Sequence, residues 1–468
     1  MPLQGTPTFA LQPNAERVAL ATNYITDFNF LNQYLPDTYE KEFERYGNRT
    51  VASFLRMVGA EMPSNSDLIK WAEQGRLHTK YQLCTTLNAA GATAVPQLFS
   101  IADANVGSGA IRIGQTVMIS DNTAGSTLTN KGIVTAVSAI GAAPTITVAY
   151  YEANQNVPAA TNCSIFVYGS EFAKGTAGMD GTLEAEDEFF DNKPIILKDS
   201  YQVDGSDMAQ IGWVEVTTEN GANGYLWYMK SEHETRLRFD DYLETAMIEA
   251  VPSEAASGVQ AQTGLLTGGS DGIFFVVENR GNVWTGGNPT TLADFDSVIQ
   301  RLDRQGAIEE NVLFVNRDFS FDIDDMLAAQ NSYGAGGTSY GLFDNDEEMA
   351  LNLGFTGFRR GYDFYKSDWK YLNDPTMRGD LTAGAVNGLL VPAGSTNVYD
   401  QVLGKNAKRP FLHVRYRASE TEDRRYKTWI TGSAGGASTS TIDRMEVNYL
   451  SERAVCTLGA NNFVIFQA

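Results

Sequence analysis

The chain has 468 residues, 43% of them hydrophobic, and a formal net charge of −22. This length predicts two to four domains, and the hydrophobic fraction is enough for buried cores. So large a negative charge argues against a nucleic-acid-binding surface, because phosphate contacts need clustered Lys and Arg. The three cysteines, Cys84, Cys163 and Cys456, form neither a disulfide framework nor a zinc pattern, so folding in a reducing cytosol is expected.

The N-terminal part is predicted to be mostly helical after an irregular start at 1–15. Its predicted helices are 38–46, 49–57 and 67–74, the last of which ends at Gly75. The first residues have no basic and apolar signal pattern, so no secretory signal is expected. Apolar runs throughout the chain are too short to cross a bilayer.

A charge-poor segment follows at 84–170. It holds only five charged side chains, against 24 in 171–250. Its short β-branched runs are separated by Gly, Asn, Ala and Pro, which predicts a small β-sandwich or barrel. These strand candidates are 115–120, 133–140, 145–150 and 164–168. The abrupt charge step at both ends favours an inserted domain, and the alternative is that the strands join neighbouring sheets.

A hairpin pattern then leads into a long helix. Residues 194–203 and 211–218 are predicted to be two extended arms around the turn 204–207. The helix predicted at 226–250 would be roughly 35–40 Å long. Its C-terminal half has an apolar stripe, whereas Glu232 and Arg236 replace that stripe in the N-terminal half. The stripe is Phe239, Leu243, Ala246, Met247 and Ala250. A partly apolar helix and a hairpin with unpaired edges both need neighbours, so the pattern predicts a protein that interlocks with its own copies.

Shorter elements complete the chain. A capping box at Thr291 and Asp294, with Gly306 at the far end, predicts an amphipathic helix at 291–302. The other expected elements are a buried strand at 273–277, a strand at 312–315, a helix at 321–329, a loop at 331–341, and strands at 351–372, 386–392 and 441–466.

This order of parts resembles the major capsid proteins of tailed bacteriophages, which have the Hong Kong 97 fold. The sequence Ile69-Lys-Trp-Ala-Glu-Gln-Gly-Arg-Leu-His78 is similar to capsid proteins of Bacteroidetes-infecting and marine phages, including the crAss-like group. The 194–218 hairpin resembles the family's E-loop, and 226–250 resembles its spine helix. Residues 291–329 are similar to part of the axial domain, and 443–466 to the strands that return to the peripheral domain.

The resemblance implies an α+β fold with an inserted all-β domain. The expected parts are an N-terminal arm at 1–83, the inserted domain at 84–170, the E-loop at 171–225, the peripheral domain at 226–300, the axial domain at 301–440 and the returning strands at 441–468. It also implies pentamers and hexamers that form an icosahedral head around double-stranded DNA, without sequence-specific DNA binding. The other implied partners are portal, scaffolding and decoration proteins, with assembly in the host cytoplasm and no membrane. Scaffolding is expected as a separate protein, because the arm begins almost at Met1.

Two charge clusters give a sharper hypothesis. The acidic cluster is Glu184, Glu186, Asp187, Glu188 and Asp191. The basic cluster is Lys405, Lys408, Arg409, Arg415, Arg417, Arg424, Arg425 and Lys427. An ionic contact between subunits would use both clusters, and the alternative is that both are solvated faces. Lys198 in the hairpin is a further contact candidate, since some capsids of this family crosslink a lysine to an asparagine of a neighbour.

No catalytic, cofactor or metal motif is present, so no enzyme activity and no cofactor are expected. His78, His233 and His413 lack metal-ligand spacing, and the sequence has no nucleophile elbow, Walker loop or dinucleotide fingerprint. Two other function classes remain open. One is a β-rich virion fibre or carbohydrate-binding protein that uses 84–170, and the other is a hydrolase with dispersed carboxylates.

Overall fold

The computed structural model describes residues 60–75, 80–88, 96–101, 110–138, 145–153, 155, 157, 162–181, 185, 187–209, 216–217, 223–224, 227–254, 257–261, 268–306, 308–330, 357–400, 405–436 and 438–467. These residues form two compact units. The smaller unit is Leu68–Asn192, and the larger contains the described residues up to Asp67 and from Lys193 onward. The helices expected at 38–46 and 49–57 and the loop expected at 331–341 lie outside the described residues.

The smaller unit consists of a barrel and a two-stranded ribbon. Strand β1 (Ala60–Ser64) belongs to the larger unit. The strands of the smaller unit are β2 (Ile69–Gln74), β3 (Lys80–Thr86), β4 (Gln97–Ile101), β5 (Gln115–Asp121), β6 (Thr129–Val137), β7 (Thr145–Tyr150), β8 (Asn162–Ser170) and β9 (Asp187–Asn192). The six strands β3 to β8 close into a barrel in the order β3-β4-β7-β6-β5-β8, and β2 pairs with β9. Strands therefore form at all four candidate runs of the charge-poor segment.

Alternation of side chains explains why this charge-poor sequence closes into a barrel. Val117 and Ile119 on β5, Ile146 and Val148 on β7, and Ile165 on β8 are fully buried in one apolar cluster. Successive residues of a strand point to opposite faces, so every second residue fills the interior. Closure also pairs β8 with β3, which leaves no open edge around the barrel.

The helix predicted at 67–74 is wrong, because Ile69–Gln74 forms strand β2. Its burial alternates with a period of two, and every residue from Ile69 to Gln74 lies opposite a residue of β9. Pairing with a distant strand has overridden the local preference of residues such as Ala72 and Glu73 for a helix.

The larger unit contains the remaining elements. Its strands are β10 (Ile195–Asp204), β11 (Val216–Thr217), β12 (Asn223–Gly224), β13 (Asn282–Trp284), β14 (Glu310–Val315), β15 (Gly357–Arg360), β16 (Tyr362–Asp368), β17 (Val386–Pro392), β18 (Ser395–Asp400), β19 (Lys405–Pro410), β20 (Leu412–Arg417), β21 (Lys427–Gly432), β22 (Arg444–Thr457) and β23 (Val464–Gln467). Its helices are α1 (Gly205–Met208), α2 (Trp227–Glu249), α3 (Gly258–Ala261), α4 (Ile273–Arg280), α5 (Leu292–Gln305), α6 (Arg317–Gln330) and α7 (Lys370–Asn373). None of the described helices is both long and apolar enough to span a membrane.

A mixed six-stranded sheet lies between helices, in the order β13-β23-β17-β14-β16-β15. On β14, Leu313 and Val315 pack with α5 and α6, whereas Phe314 packs on the opposite face with α4 and the end of α2. Alternate side chains of β14 thus pack into two different cores, which explains why the sequence of this strand is continuously apolar.

The long helix α2 lies on a second sheet, in which β1, β20, β22 and β10 follow one another and β21 also pairs with β22. Phe239 and Leu243 pack with residues of β10 and β22, and the ring of Phe239 stacks on Tyr449 at 5.7 Å between centroids. The predicted helix and the burial of its C-terminal half are confirmed. In the N-terminal half, Glu232 accepts a hydrogen bond from the Tyr449 hydroxyl at 3.1 Å, and Met229 is exposed.

The predicted hairpin is wrong in its pairing. Its first arm forms β10, but β10 pairs with β22, from Ile195 opposite Arg453 to Asp204 opposite Arg444. In the expected turn 204–207, Asp204 ends β10 and the next three residues belong to the four-residue helix α1. In the second arm, 211–215 lie outside the described residues and β11 pairs with β12. An alternating pattern specifies which face of a strand is buried but not its partner, and β22 lies far along the chain.

The remaining predictions mostly hold. The capping box of α5 is confirmed: the Thr291 side chain accepts from the Asp294 amide, and Gly306 ends the helix at a φ of 73°. The strands at 312–315 and 386–392 and the two strands of the tail are also confirmed. The predicted strand at 273–277 is wrong, since these residues begin α4. A short apolar run does not distinguish a strand from a buried helix.

Candidate assembly surfaces

The ribbon of β2 and β9 is the most exposed paired element of the smaller unit. Its register runs from Ile69 opposite Asn192 to Gln74 opposite Asp187. Among the described residues, neither strand pairs with any strand outside the ribbon. A two-stranded ribbon to which no further strand is added is marginally stable in water. The ribbon therefore has the properties of an element that another chain covers.

Aromatic rings lie on both faces of the ribbon. Trp71 is directly opposite Phe190, and their ring centroids are 6.3 Å apart on one face. Phe189 is opposite Ala72 on the other face, and 71% of its surface is exposed. Because neighbouring residues of a strand point to opposite faces, the pair Phe189-Phe190 must present one ring on each face.

The ribbon is also acidic. Glu73 lies directly opposite Glu188, and only Lys70, opposite Asp191, forms a pair of unlike charges along the register. Like charges placed directly opposite each other destabilise a ribbon. Asp187, Glu188 and Asp191 of the predicted acidic cluster are thus on β9, whereas Glu184 and Glu186 lie outside the described residues.

Several members of the basic cluster are already paired within the chain. Arg424 lies 2.6 Å from Glu452, Arg425 pairs with Glu61, and Arg417 pairs with Asp67. These carboxylates neutralise arginines for which the sequence analysis predicted a contact with a neighbouring subunit. An ionic contact between subunits at Arg424 and Arg425 stays a prediction, and any such contact would compete with these pairs.

Glu61 also anchors β1, the strand that leads to the ribbon. It lies 3.5 Å from the guanidinium of Arg453, which is only 6% exposed. Arg453 donates further hydrogen bonds to the Ser451 hydroxyl and to the carbonyl of Arg425. Burial lowers the pKa of Arg453, and the nearby Glu61 opposes that shift. A buried guanidinium needs such a counterion, so the ion pair links β1, which pairs with β20, to Arg453 on β22.

A second exposed feature is the outer edge of β10, which pairs with no further strand in the part of the chain that the structure describes. A groove of about 360 Å³ runs beside this edge and α2. Its lining residues are Leu197, Lys198, Tyr242, Thr245, Ala246 and Glu249. Tyr242 is half exposed, and Lys198 lies on the rim rather than in a hairpin arm. The groove is therefore a second surface that a neighbour could cover.

The histidines show no catalytic arrangement in the described residues. His413 is buried, and its Nδ1 lies 3.2 Å from the carbonyl oxygen of Pro410. Burial lowers the pKa of His413 to about 4, so the ring is neutral near pH 7. His233 lies on α2, and His78 lies outside the described residues. No group of three or more His, Cys, Asp or Glu side chains in the described part could hold a metal ion.

Comparison with known proteins gives a likeness of fold only. Neither a protein-family model nor a curated protein matches the sequence. A structure from Microbacterium phage Oxtober96 is 10% identical over 93% of this chain and 96% of that chain, with a TM-score of 0.41. A structure described as the capsid of a native GTA particle is 9% identical over 92% and 94%, with a TM-score of 0.37. A bacteriophage PhiM1 mature capsid is 10% identical over 64% and 78%, with a TM-score of 0.34. At scores this low, the function proposed below depends on the geometry of the chain itself.

The structure places the contact residues predicted from the sequence in different units and adds one residue that the sequence analysis missed. Asp187 and Glu188 lie on the ribbon, whereas Lys198 lies on the edge strand of a sheet in the larger unit. Phe189 was missed as a candidate contact residue, although its signal is visible in the sequence. Two adjacent aromatic residues within an acidic run leave one ring exposed in any strand that packs on a single face.

Proposed function

We propose that the chain is the major capsid protein of a tailed bacteriophage, which assembles through pentamers and hexamers into an icosahedral head around double-stranded DNA. The observation that carries the proposal is the acidic ribbon β2–β9, in which neither strand pairs with another described strand and Phe189 is 71% exposed. A chain that works alone gains nothing from such an element, whereas a subunit buries it against a neighbour. The order of parts in the sequence, which resembles the Hong Kong 97 family, supports the same proposal.

Within this proposal the ribbon, rather than 194–218, makes the contact with a neighbouring subunit. The helix α2 corresponds to the spine helix, and the sheet beneath it to the peripheral domain. The six-stranded sheet with α5 and α6 corresponds to the axial domain, so β13 and β23 belong to that domain in this proposal, whereas the sequence analysis assigned both segments to the peripheral domain. The barrel is an inserted domain, because strands β3 to β8 lie in chain order between the two strands of the ribbon. The barrel strands run from Lys80 to Ser170, close to the insertion of 84–170 expected from the sequence.

The proposed partners follow from this role. The subunit binds its own copies through the ribbon and through the groove beside β10. Portal, scaffolding and decoration proteins would complete the head. Contact with packaged DNA would be weak and independent of sequence, because the net charge of −22 repels phosphates.

Assembly of the full chain tests the proposal. The purified protein is examined by sedimentation velocity and negative-stain microscopy over a series of protein and salt concentrations, with and without a co-expressed scaffolding protein. Megadalton particles of uniform curvature are expected. A discrete small species under every condition, stabilised by an added oligosaccharide, would refute the capsid role and favour a carbohydrate-binding protein.

A further inference from the structure

Two thiols face each other inside the barrel. Cys84 on β3 lies directly opposite Cys163 on β8, and both side chains are fully buried in the barrel core. The Cys163 Sγ lies 3.1 Å from the carbonyl oxygen of Cys84. Directly opposed residues of antiparallel strands have Cα atoms about 4.5 or 5.5 Å apart. Both separations lie within the range that a disulfide spans.

A β-bulge creates this juxtaposition. The pairing of β3 with β8 shifts between Tyr81 and Cys84, where β3 has one more residue than its partner. Tyr81 and Cys84 are both buried, whereas Gln82 and Leu83 between them are exposed, and Leu83 has a φ of 55°. Without the extra residue, strict alternation would turn Leu83 inward in place of Cys84. The bulge therefore aims the first thiol at the second.

We propose that Cys84 and Cys163 form a disulfide when the chain meets an oxidised small-molecule disulfide, and that this bond locks the barrel closed. Strands β3 and β8 are the first and last of the barrel, and their pairing is the seam that closes it. A bond across this seam joins the ends of the whole barrel sequence. Crosslinks that close long loops remove the most conformational entropy from the unfolded chain.

The reaction is a pair of thiol–disulfide exchanges. One cysteine thiolate attacks a sulfur of oxidised glutathione, which forms a mixed disulfide and releases one glutathione thiolate. The second cysteine thiolate attacks the protein sulfur of that mixed disulfide and displaces the second glutathione. The two protein thiols lose two protons and two electrons, and the electrons end on two molecules of reduced glutathione.

Burial controls when the bond forms. It raises the pKa of Cys163 to about 12, so the reactive thiolate is scarce in the folded barrel. Exchange is therefore expected during folding or when the barrel opens, and to be slow in the closed state. A subunit that folds in a reducing cytoplasm and later leaves the cell would acquire the bond after release. That use rests on the function proposed above, whereas formation of the bond does not.

Oxidative refolding of the full chain tests the proposal. The protein is unfolded with a reductant, refolded with oxidised glutathione, alkylated under denaturing conditions and digested for mass spectrometry. A linked peptide pair joining Cys84 to Cys163 is expected, with Cys456 alkylated. The matched control is Cys456→Ala, which removes a buried thiol of the larger unit and should keep the link, whereas Cys163→Ala should lose it.

Stability provides the second measurement. The oxidised wild-type barrel should unfold at a higher denaturant concentration than the reduced barrel, and a reductant should abolish the difference. If all three thiols remain open to alkylation after oxidative refolding, or if Cys456 is linked as often as the other two, the proposal is overturned. Neither result depends on particle formation, so failure here and failure of the capsid role can be distinguished.

Discussion

Replacing Phe189 by alanine removes the exposed ring of the ribbon and leaves the backbone pairing of β9 in place. The side chain is 71% exposed in the lone chain. A phenylalanine offers about 200 Å² for burial, so a neighbour could cover about 140 Å² of it. At about 25 cal/mol per Å², that contact contributes about 3.5 kcal/mol to association. The association constant of each contact should therefore fall by about 300-fold, or by about 20-fold if the neighbour covers half of that area.

The assay is the protein concentration at which particles first appear, measured by light scattering and confirmed by sedimentation. Phe189→Ala should raise this threshold. The matched control is Ile442→Ala, because Ile442 is 53% exposed but lies in the loop before β22. Denaturant unfolding of the unassembled chains should give the same midpoint for Phe189→Ala as for the wild type, since the ring is not part of a core.

One result would refute the reasoning about the ribbon. If Phe189→Ala, Ile442→Ala and the wild type assemble at the same threshold while all three unfold at the same midpoint, the ring is not buried between subunits. A higher threshold accompanied by a lower unfolding midpoint would show instead that Phe189 supports the fold of its own chain.

Three predictions concern the stability of the lone chain. Glu61→Gln should lower the free energy of unfolding by about 3 kcal/mol, because the buried Arg453 would lose the charge of this counterion. Glu420→Gln on an exposed turn is the control in the same denaturant titration. Lowering the pH from 6.5 to about 4 should destabilise the chain, because His413 takes up a proton at a higher pH in the unfolded state than in the folded state. The free energy of unfolding should fall by about 3 kcal/mol over this range, and His413→Gln should remove that fall in unfolding curves measured at each pH. Thr291→Ala should cost about 1 kcal/mol in thermal or denaturant unfolding, because the capping box of α5 would lose its side-chain acceptor.

Elements whose signals lie within a few residues of one another could be predicted from the sequence. The helix α5 is the best case, because Thr291, Asp294 and Gly306 specify both of its ends through local hydrogen bonds and a left-handed residue. The helix α6 begins earlier than predicted, since the Asn316 side chain accepts from the Phe319 amide and acts as its N-terminal cap. That asparagine could have been recognised as a cap in the sequence.

Pairing between distant strands could not be predicted in the same way. Residues 195–204 alternate as a strand should, but the alternation only places Val203 and Tyr201 on the face that packs with α2. The choice of β22 as partner depends on a segment near the other end of the chain. Similarly, Ile69–Gln74 has helix-forming residues, and only its pairing with β9 makes it a strand. Local propensity decides little where a distant edge is available.

The candidate assembly surface follows from an unfavourable arrangement of side chains on the ribbon, as seen in the described residues. On β9, Phe189 and Phe190 cannot both be buried on one face, and Glu188 lies directly opposite Glu73. Each feature lowers the stability of the ribbon by itself, through exposed apolar surface and through repulsion. Sequences that fold well avoid such local conflicts except where function requires them. The Trp71 indole N–H donates to Glu73 Oε1 at 3.0 Å within the ribbon. The exposed ring of Phe189 is therefore the feature that burial by a neighbouring subunit would relieve, and it is the strongest physical reason to regard the ribbon as an intersubunit contact.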